Sequence, residues 1–155
     1  MKKISLICLA LIASCNDVNI KNTDTVQKIK IDYYSSKETK ELDFPFSDAT
    51  IVNNIIYVAG QVGNLPGTNK VVEGGIRAET RQTMKNIETV LTAVGSSLDK
   101  VFKCTCMLSD IGDWGIMSEE YKKFFDKEKK PSRSAFAGTG LALGAKIEIE
   151  CWAIR

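Results

Sequence analysis

The chain has 155 residues, 44% hydrophobic and 26% charged, which suits one globular domain with its own core. It contains no histidine, so Ser-His-Asp and Cys-His catalysis and His-ligated zinc are excluded. The formal net charge is only +2, too little for a general nucleic-acid-binding face.

Residues 1–14 read as a leader rather than as part of the fold. Lys2 and Lys3 precede an apolar run from Ile4 to Ala13 that is too short for a permanent transmembrane helix. The ending Leu11-Ile12-Ala13-Ser14-Cys15 has the form of a bacterial lipobox, with cleavage before Cys15 and lipid attached to that cysteine. A plain signal peptide with a coincidental cysteine, or an apolar N-terminal helix, is the competing reading. The lipobox accounts for charge, length and terminal residues together. On this reading the protein is exported and anchored to a membrane. Removal of Lys2 and Lys3 takes the 21 basic residues to 19, level with the 19 acidic ones, so the mature chain is neutral. Residues 15–27 are polar and rich in Asn, Asp and Thr, as a flexible tether is.

From residue 28 to 155 a single domain is expected. KIKIDYY, residues 28–34, alternates as a strand, and a polar loop runs on to Phe44-Pro45-Phe46. Asn53-Asn54 separates two apolar runs, 49–52 and 55–62, which predicts a hairpin. Between Gly74 and Val94 the apolar residues recur at helical spacing through Ile76, Thr80, Met84, Ile87, Leu91 and Val94, and Gly95 stands where a helix would stop. Residues 101–108 form the next strand, in which Cys104 and Cys106 share a face as buried small side chains; a disulfide from either to Cys151 is left open. Asp113 is placed to cap a second helix with a buried stripe of Trp114, Met117, Tyr121 and Phe125. Pro131 ends that region, and 134–138 and 146–154 are the last strands. The Lys127-Glu128-Lys129-Lys130 run is a solvated surface. Strand pairs interleaved with two helices make an α+β sheet with helices on one face.

Read alone, Arg133 is a loop cation after Pro131, and Glu148 is the polar member of an alternating strand. Their wider setting says more. Gly60-Gln61 follows the hairpin strand; VFKCTCMLSD spans 101–110; Trp114 and Tyr121 precede Phe124-Phe125; Pro131-Ser132-Arg133-Ser134 is followed by Gly144-Ala145-Lys146-Ile147-Glu148-Ile149-Glu150. In this order the chain resembles the RidA/YjgF family of enamine/imine deaminases over roughly 44–155.

The resemblance implies a chorismate-mutase-like mixed sheet and a homotrimer with pockets between subunits. The implied activity is hydrolysis of reactive 2-imino or 2-enamino acids to 2-keto acids and ammonia, without metal or organic cofactor. Arg133 then corresponds to the family's carboxylate-binding arginine and Glu148 to its water-associated glutamate. Phe46, Ala59, Gly60, Gln61, Ser118 and Ala135 are the expected pocket residues. Several depart from the family's usual choices. Phe46 stands for a tyrosine, Ala59 for a serine, Ser118 for an asparagine and Ala135 for a cysteine. Those losses keep a second expectation open, of a catalytically reduced protein of the same fold that binds a small carboxylate or a partner protein at the membrane. The ribonuclease activity sometimes attached to the family name finds little support in a neutral, exported chain.

Overall fold

The computed structural model describes residues 28–155; the leader and the whole tether, with Cys15, lie outside the described residues. The elements, in chain order, are β1 (Ile31–Tyr34), α1 (Lys37–Glu41), β2 (Ala49–Val52), β3 (Ile55–Val62), α2 (Gly75–Ala93), β4 (Val101–Leu108), α3 (Trp114–Tyr121), β5 (Ser132–Ala137) and β6 (Ile147–Ile154). They build one mixed sheet in the order β1-β2-β3-β6-β4-β5. Only β4 and β5 run parallel. A parallel pair needs a crossover, and α3 supplies it.

The β2–β3 hairpin turns at Asn53, whose φ of 54° is one that asparagine tolerates. Helix α2 stops at Gly95, with φ of 81°; there the Ser96 N–H donates to the Leu91 carbonyl (2.8 Å), closing the last turn. Its stripe of Ile76, Thr80, Met84, Ile87 and Leu91 is buried against the sheet, as the spacing predicts.

Strand β6 divides the molecule. Ile147, Ile149, Cys151 and Ala153 are 0% exposed beneath the helices, while Glu148, Glu150, Trp152 and Ile154 turn to the other face. Among the described residues no helix covers that second face. It carries an aromatic group in which Trp152 meets Tyr57 (5.0 Å between centroids) and Phe102 (6.4 Å), both edge-on. Trp152 and Phe102 are each 38% exposed, and Ile154 and Phe136 also face solvent.

Four local expectations are corrected. The polar stretch after β1 is not all loop. Ser36 caps a short helix, α1, by accepting from the Thr39 N–H, and buried Asp48 ties the turn together by accepting from the Ser36 N–H and the Thr39 hydroxyl. Strand β5 starts at Ser132, so Arg133 lies within a strand and not in a loop. Asp113 sits at the N-cap of α3 without a side-chain capping bond; Asp110 instead accepts from the Gly112 N–H in the turn before. Trp114 is 47% exposed, and the buried face of α3 is Met117, Glu120 and Tyr121.

The buried Glu120 is neutralised by its surroundings. It accepts from Arg81 (2.8 Å) and Lys123 (2.7 Å) and pairs with Arg77 (3.4 Å), which binds α3 to α2. Burial pushes its carboxyl upward, but the hydrogen bonds from Lys123 and Arg81 outweigh this and hold it down at about 2. No described helix is long and apolar enough to cross a membrane.

Candidate active site

Five of the eight predicted pocket residues meet in one cavity of about 510 Å³: Phe46, Ala59, Gly60, Gln61 and Glu148. The cavity forms where the β3–β6 ladder slips register between Val58 and Gln61. A bulge of this kind re-aims side chains. Here it leaves Gly60 beneath the Glu148 side chain, and a Cβ built on Gly60 would fall 2.9 Å from the carboxyl carbon of Glu148. Glycine is therefore required at 60 for Glu148 to lie where it does. The Ala59 N–H donates to the Asp48 carbonyl (2.9 Å), which fixes the bulge to the segment after α1. The loop leading into β6 is anchored by the Lys146 N–H, which donates to buried Glu79 (2.6 Å). Phe46 stacks on Phe44 (5.3 Å) at the rim and is 51% exposed.

Glu148 accepts no hydrogen bond among the described residues. Burial, and then the nearby charge of Glu150, push its carboxyl above the ordinary 4.5. The cavity's other acids are already engaged. Asp48 holds α1, and Glu38 accepts from the Gly67 N–H (3.1 Å). No lysine or arginine lines the cavity.

Arg133 and Ser118 lie elsewhere, in a second cavity of about 320 Å³ with Glu119, Tyr121, Lys122 and Lys130. The strand registers give the reason. Arg133 is paired with Cys104, which faces the helices, whereas Glu148 is paired with Met107, three residues further along β4 and so on the opposite face. Within one chain the two charges leave the sheet on opposite sides. Ala135 joins neither cavity; it is paired with Cys106 and packs against the core.

The setting of Arg133 is the feature that sequence reading missed. Its guanidinium donates to the Ser118 hydroxyl (2.9 Å) and lies 3.6 Å from the Met117 sulfur through its other terminal nitrogen. Its carbon stands 5.5 Å from the Trp114 ring centre and 5.0 Å from that of Tyr121. Trp114 and Tyr121 are two helical turns apart, a spacing that puts both rings on one side of α3. That spacing is the available signal; it predicts a core stripe, which holds for Tyr121 and not for Trp114. Behind the guanidinium, Cys104, Cys106 and Cys151 are free thiols, all 0% exposed. Burial lifts the Cys106 thiol to about 12, so it offers no thiolate for chemistry.

A six-stranded mixed sheet, two helices on one face and a Glu148 cavity at a bulge define a Rid-type α+β protein. The chain belongs to the family described as Endoribonuclease L-PSP, the RidA/YjgF family, which it matches over residues 38–155. Among curated relatives it is 39% identical over 111 residues to the human 2-iminobutanoate/2-iminopropanoate deaminase, covering 72% of this chain and 80% of that protein. It is 34% identical over 127 residues to Reactive Intermediate Deaminase A, chloroplastic, of Arabidopsis thaliana, covering 82% of this chain and 67% of that one. Among solved structures, a conserved Rid-family protein of unknown function from Yersinia pestis superposes with a TM-score of 0.74 at 32% identity, covering 81% of this chain and all, 100%, of that one.

Proposed function

We propose that the protein hydrolyses 2-imino or 2-enamino acids to 2-keto acids and ammonia, without metal or organic cofactor, at sites shared between copies of the chain in a homotrimer. The observation that carries the proposal is the division of charge. The Glu148 cavity has room for an organic acid but no cation, while Arg133 has free N–H groups and shares its cavity with a single carboxylate, Glu119, that is already paired with Lys122 (2.6 Å). A carboxylate substrate needs both, and opposite faces of one sheet cannot supply both to one ligand. Joining the Arg133 edge of one copy to the Glu148 cavity of another completes the site. The uncovered aromatic face of Tyr57, Phe102 and Trp152 favours association, because exposed apolar patches mark contact surfaces. The names of the curated relatives support the same reaction.

The chemistry follows from these groups. Arg133 grips the substrate carboxylate through charge-assisted hydrogen bonds and fixes the C=N carbon. Water adds its oxygen to that carbon as Glu148 takes one of its protons and delivers it to nitrogen, giving a neutral tetrahedral carbinolamine. Glu148 then takes the hydroxyl proton and passes it to the amine as the C–N bond breaks, so the C=O bond of the 2-keto acid forms and ammonia leaves with both water protons. A carboxyl raised above its ordinary range suits a group that must both accept and give back a proton. Because the C=N carbon is already electrophilic, orientation and one proton carrier suffice.

The second reading, a binding protein of the same fold, is favoured by Phe46, Ala59 and Ala135, which bring no hydroxyl or thiol to the site. Ammonia release from freshly generated imino acids separates the two. Turnover that Arg133→Ala abolishes supports the deaminase; no turnover by the parent on small or large imino acids supports the binding protein. The RNA-cleaving activity in the family's description is not favoured by the charge balance, which is 19 basic to 19 acidic residues if Lys2 and Lys3 are removed with a leader. We further read the protein as a lipoprotein on the outer side of a membrane, supported by the sequence around Cys15. Radiolabelled palmitate should enter the parent chain and not Cys15→Ala.

A further inference from the structure

We propose that Trp114 is a positioning residue for the Arg133 carboxylate clamp and that its indole emission reports whether the clamp is filled. The proposal rests on the functional reading above, in which Arg133 binds the substrate carboxylate.

Trp114 opens α3, yet it contributes little to the core: it is 47% exposed, and Met117, Glu120 and Tyr121 make the buried contacts. Its principal neighbour of consequence is the guanidinium. The guanidinium carbon lies over two rings, Trp114 at 5.5 Å and Tyr121 at 5.0 Å, while Ser118 and Met117 engage its terminal nitrogens. Aromatic faces attract a cation without offering it a hydrogen bond. A carboxylate in the same place would occupy the fork that a ligand needs. Among the described residues Arg133 forms no ion pair, unlike Arg77 and Arg81, which are committed to Glu120. The cradle thus fixes the orientation of the guanidinium and leaves its charge and several of its five N–H groups available.

The two rings differ in what their loss would do. Tyr121 is buried and packs on Phe125 (4.9 Å), so removing it disturbs the core. Trp114 is half exposed, so its truncation frees the arginine stem with little effect on packing. A clamp that must be ordered anew for each ligand binds more weakly without changing the chemical step. Trp114→Ala is therefore expected to raise KM about ten-fold and to change kcat less than about three-fold. Trp114→Phe keeps a ring face and should restore a KM close to that of the parent.

The fluorescence arm is independent of turnover. The chain has two tryptophans, so the emission lost on Trp114→Phe identifies the Trp114 signal. The test uses the full chain and its Trp114→Phe, Trp114→Ala and Arg133→Ala variants. Each is titrated with 2-oxobutanoate, a stable 2-keto acid, and assayed on freshly generated imino acids. The proposal predicts a saturable emission change that is absent from Trp114→Phe and Arg133→Ala, together with the KM effect of Trp114→Ala and its rescue by phenylalanine. Turnover by the parent with an unchanged KM in Trp114→Ala overturns the proposal and leaves the deaminase reading intact. So does a loss of kcat and melting temperature shared by both Trp114 variants, which would mean a structural role. An Arg133-dependent emission change without any turnover supports the clamp and removes the deaminase. Neither signal nor turnover overturns both.

Discussion

The α3–β5 edge and the β3–β6 bulge each present one charged side chain, and the chain treats the two in opposite ways. Arg133 is cradled by Trp114, Tyr121, Ser118 and Met117 and forms no ion pair among the described residues, Glu119 of the same cavity being paired with Lys122. Glu148 is held by nothing polar; the missing side chain of Gly60 makes room for it, and burial lifts its proton affinity. On the proposed mechanism, the group that binds is fixed in place, and the group that passes a proton is left free of competing partners. Glu120, a far more buried carboxylate, is set apart from both: Lys123 and Arg81 hold its carboxyl down at about 2.

Substitutions sharpen this contrast in a graded series. Arg133→Ala should lower kcat/KM about 1,000-fold, since it removes two charge-assisted hydrogen bonds worth ~2 kcal/mol each. Glu148→Gln keeps the shape of the cavity but cannot take a proton; kcat should fall about 100-fold while KM holds. Gly60→Ala leaves both charges present and displaces only the carboxylate, so a kcat about ten-fold below the parent is expected, with Arg133-dependent binding of keto acid intact. An unchanged kcat in Gly60→Ala would mean that the position of Glu148 over Gly60 is irrelevant to the reaction.

Stability should report the same difference with smaller amplitudes. Glu120→Gln unties α3 from α2 and is expected to cost roughly 1–3 kcal/mol, discounted because its three cations are about half exposed. The folded-state carboxyl lies at about 2, below its ordinary 4.5, so Glu120 stabilises the fold fully above 4.5 and that contribution disappears as pH falls toward 2. Glu148 behaves oppositely. Its carboxyl is raised in the fold, so the folded state binds its proton more tightly, and stability declines as pH rises from 4.5 through the raised value. Glu148→Gln should therefore be as stable as the parent near neutral pH or more so, by under about 1 kcal/mol, while nearly inactive. Urea titrations of both variants at pH 4 and 7 would measure the two signs.

Much of the sheet could be read in advance because its strands bury one face only. The alternation in 49–62 and 101–108, and the stripe from Ile76 to Leu91, each have a single packing solution. Three features were hidden for physical reasons. Helix α1 is short and polar, and it exists because Ser36 and Asp48 satisfy its first turn, not because it has an apolar face. In the two turns of α3, an aromatic at helical spacing looks alike whether it packs on the core or on a cation, so Trp114 was assigned to the wrong neighbour. The opposite orientations of Arg133 and Glu148 depend on strand order and register, which no interval along the chain encodes. Each half of the site was legible by residue; that they occupy separate cavities was not.

Subunit complementation tests the shared site most directly. Arg133→Ala and Glu148→Gln chains, each inactive alone, are co-expressed and purified together. In each mixed trimer one interface of the three joins the intact Arg133 of one copy to the intact Glu148 of another, so about a third of parental activity should return in mixed trimers and about a quarter in the random mixture as a whole. Deaminase activity in the parent, with none regained in verified mixed oligomers, would contradict the account by placing both residues of a working site on one chain.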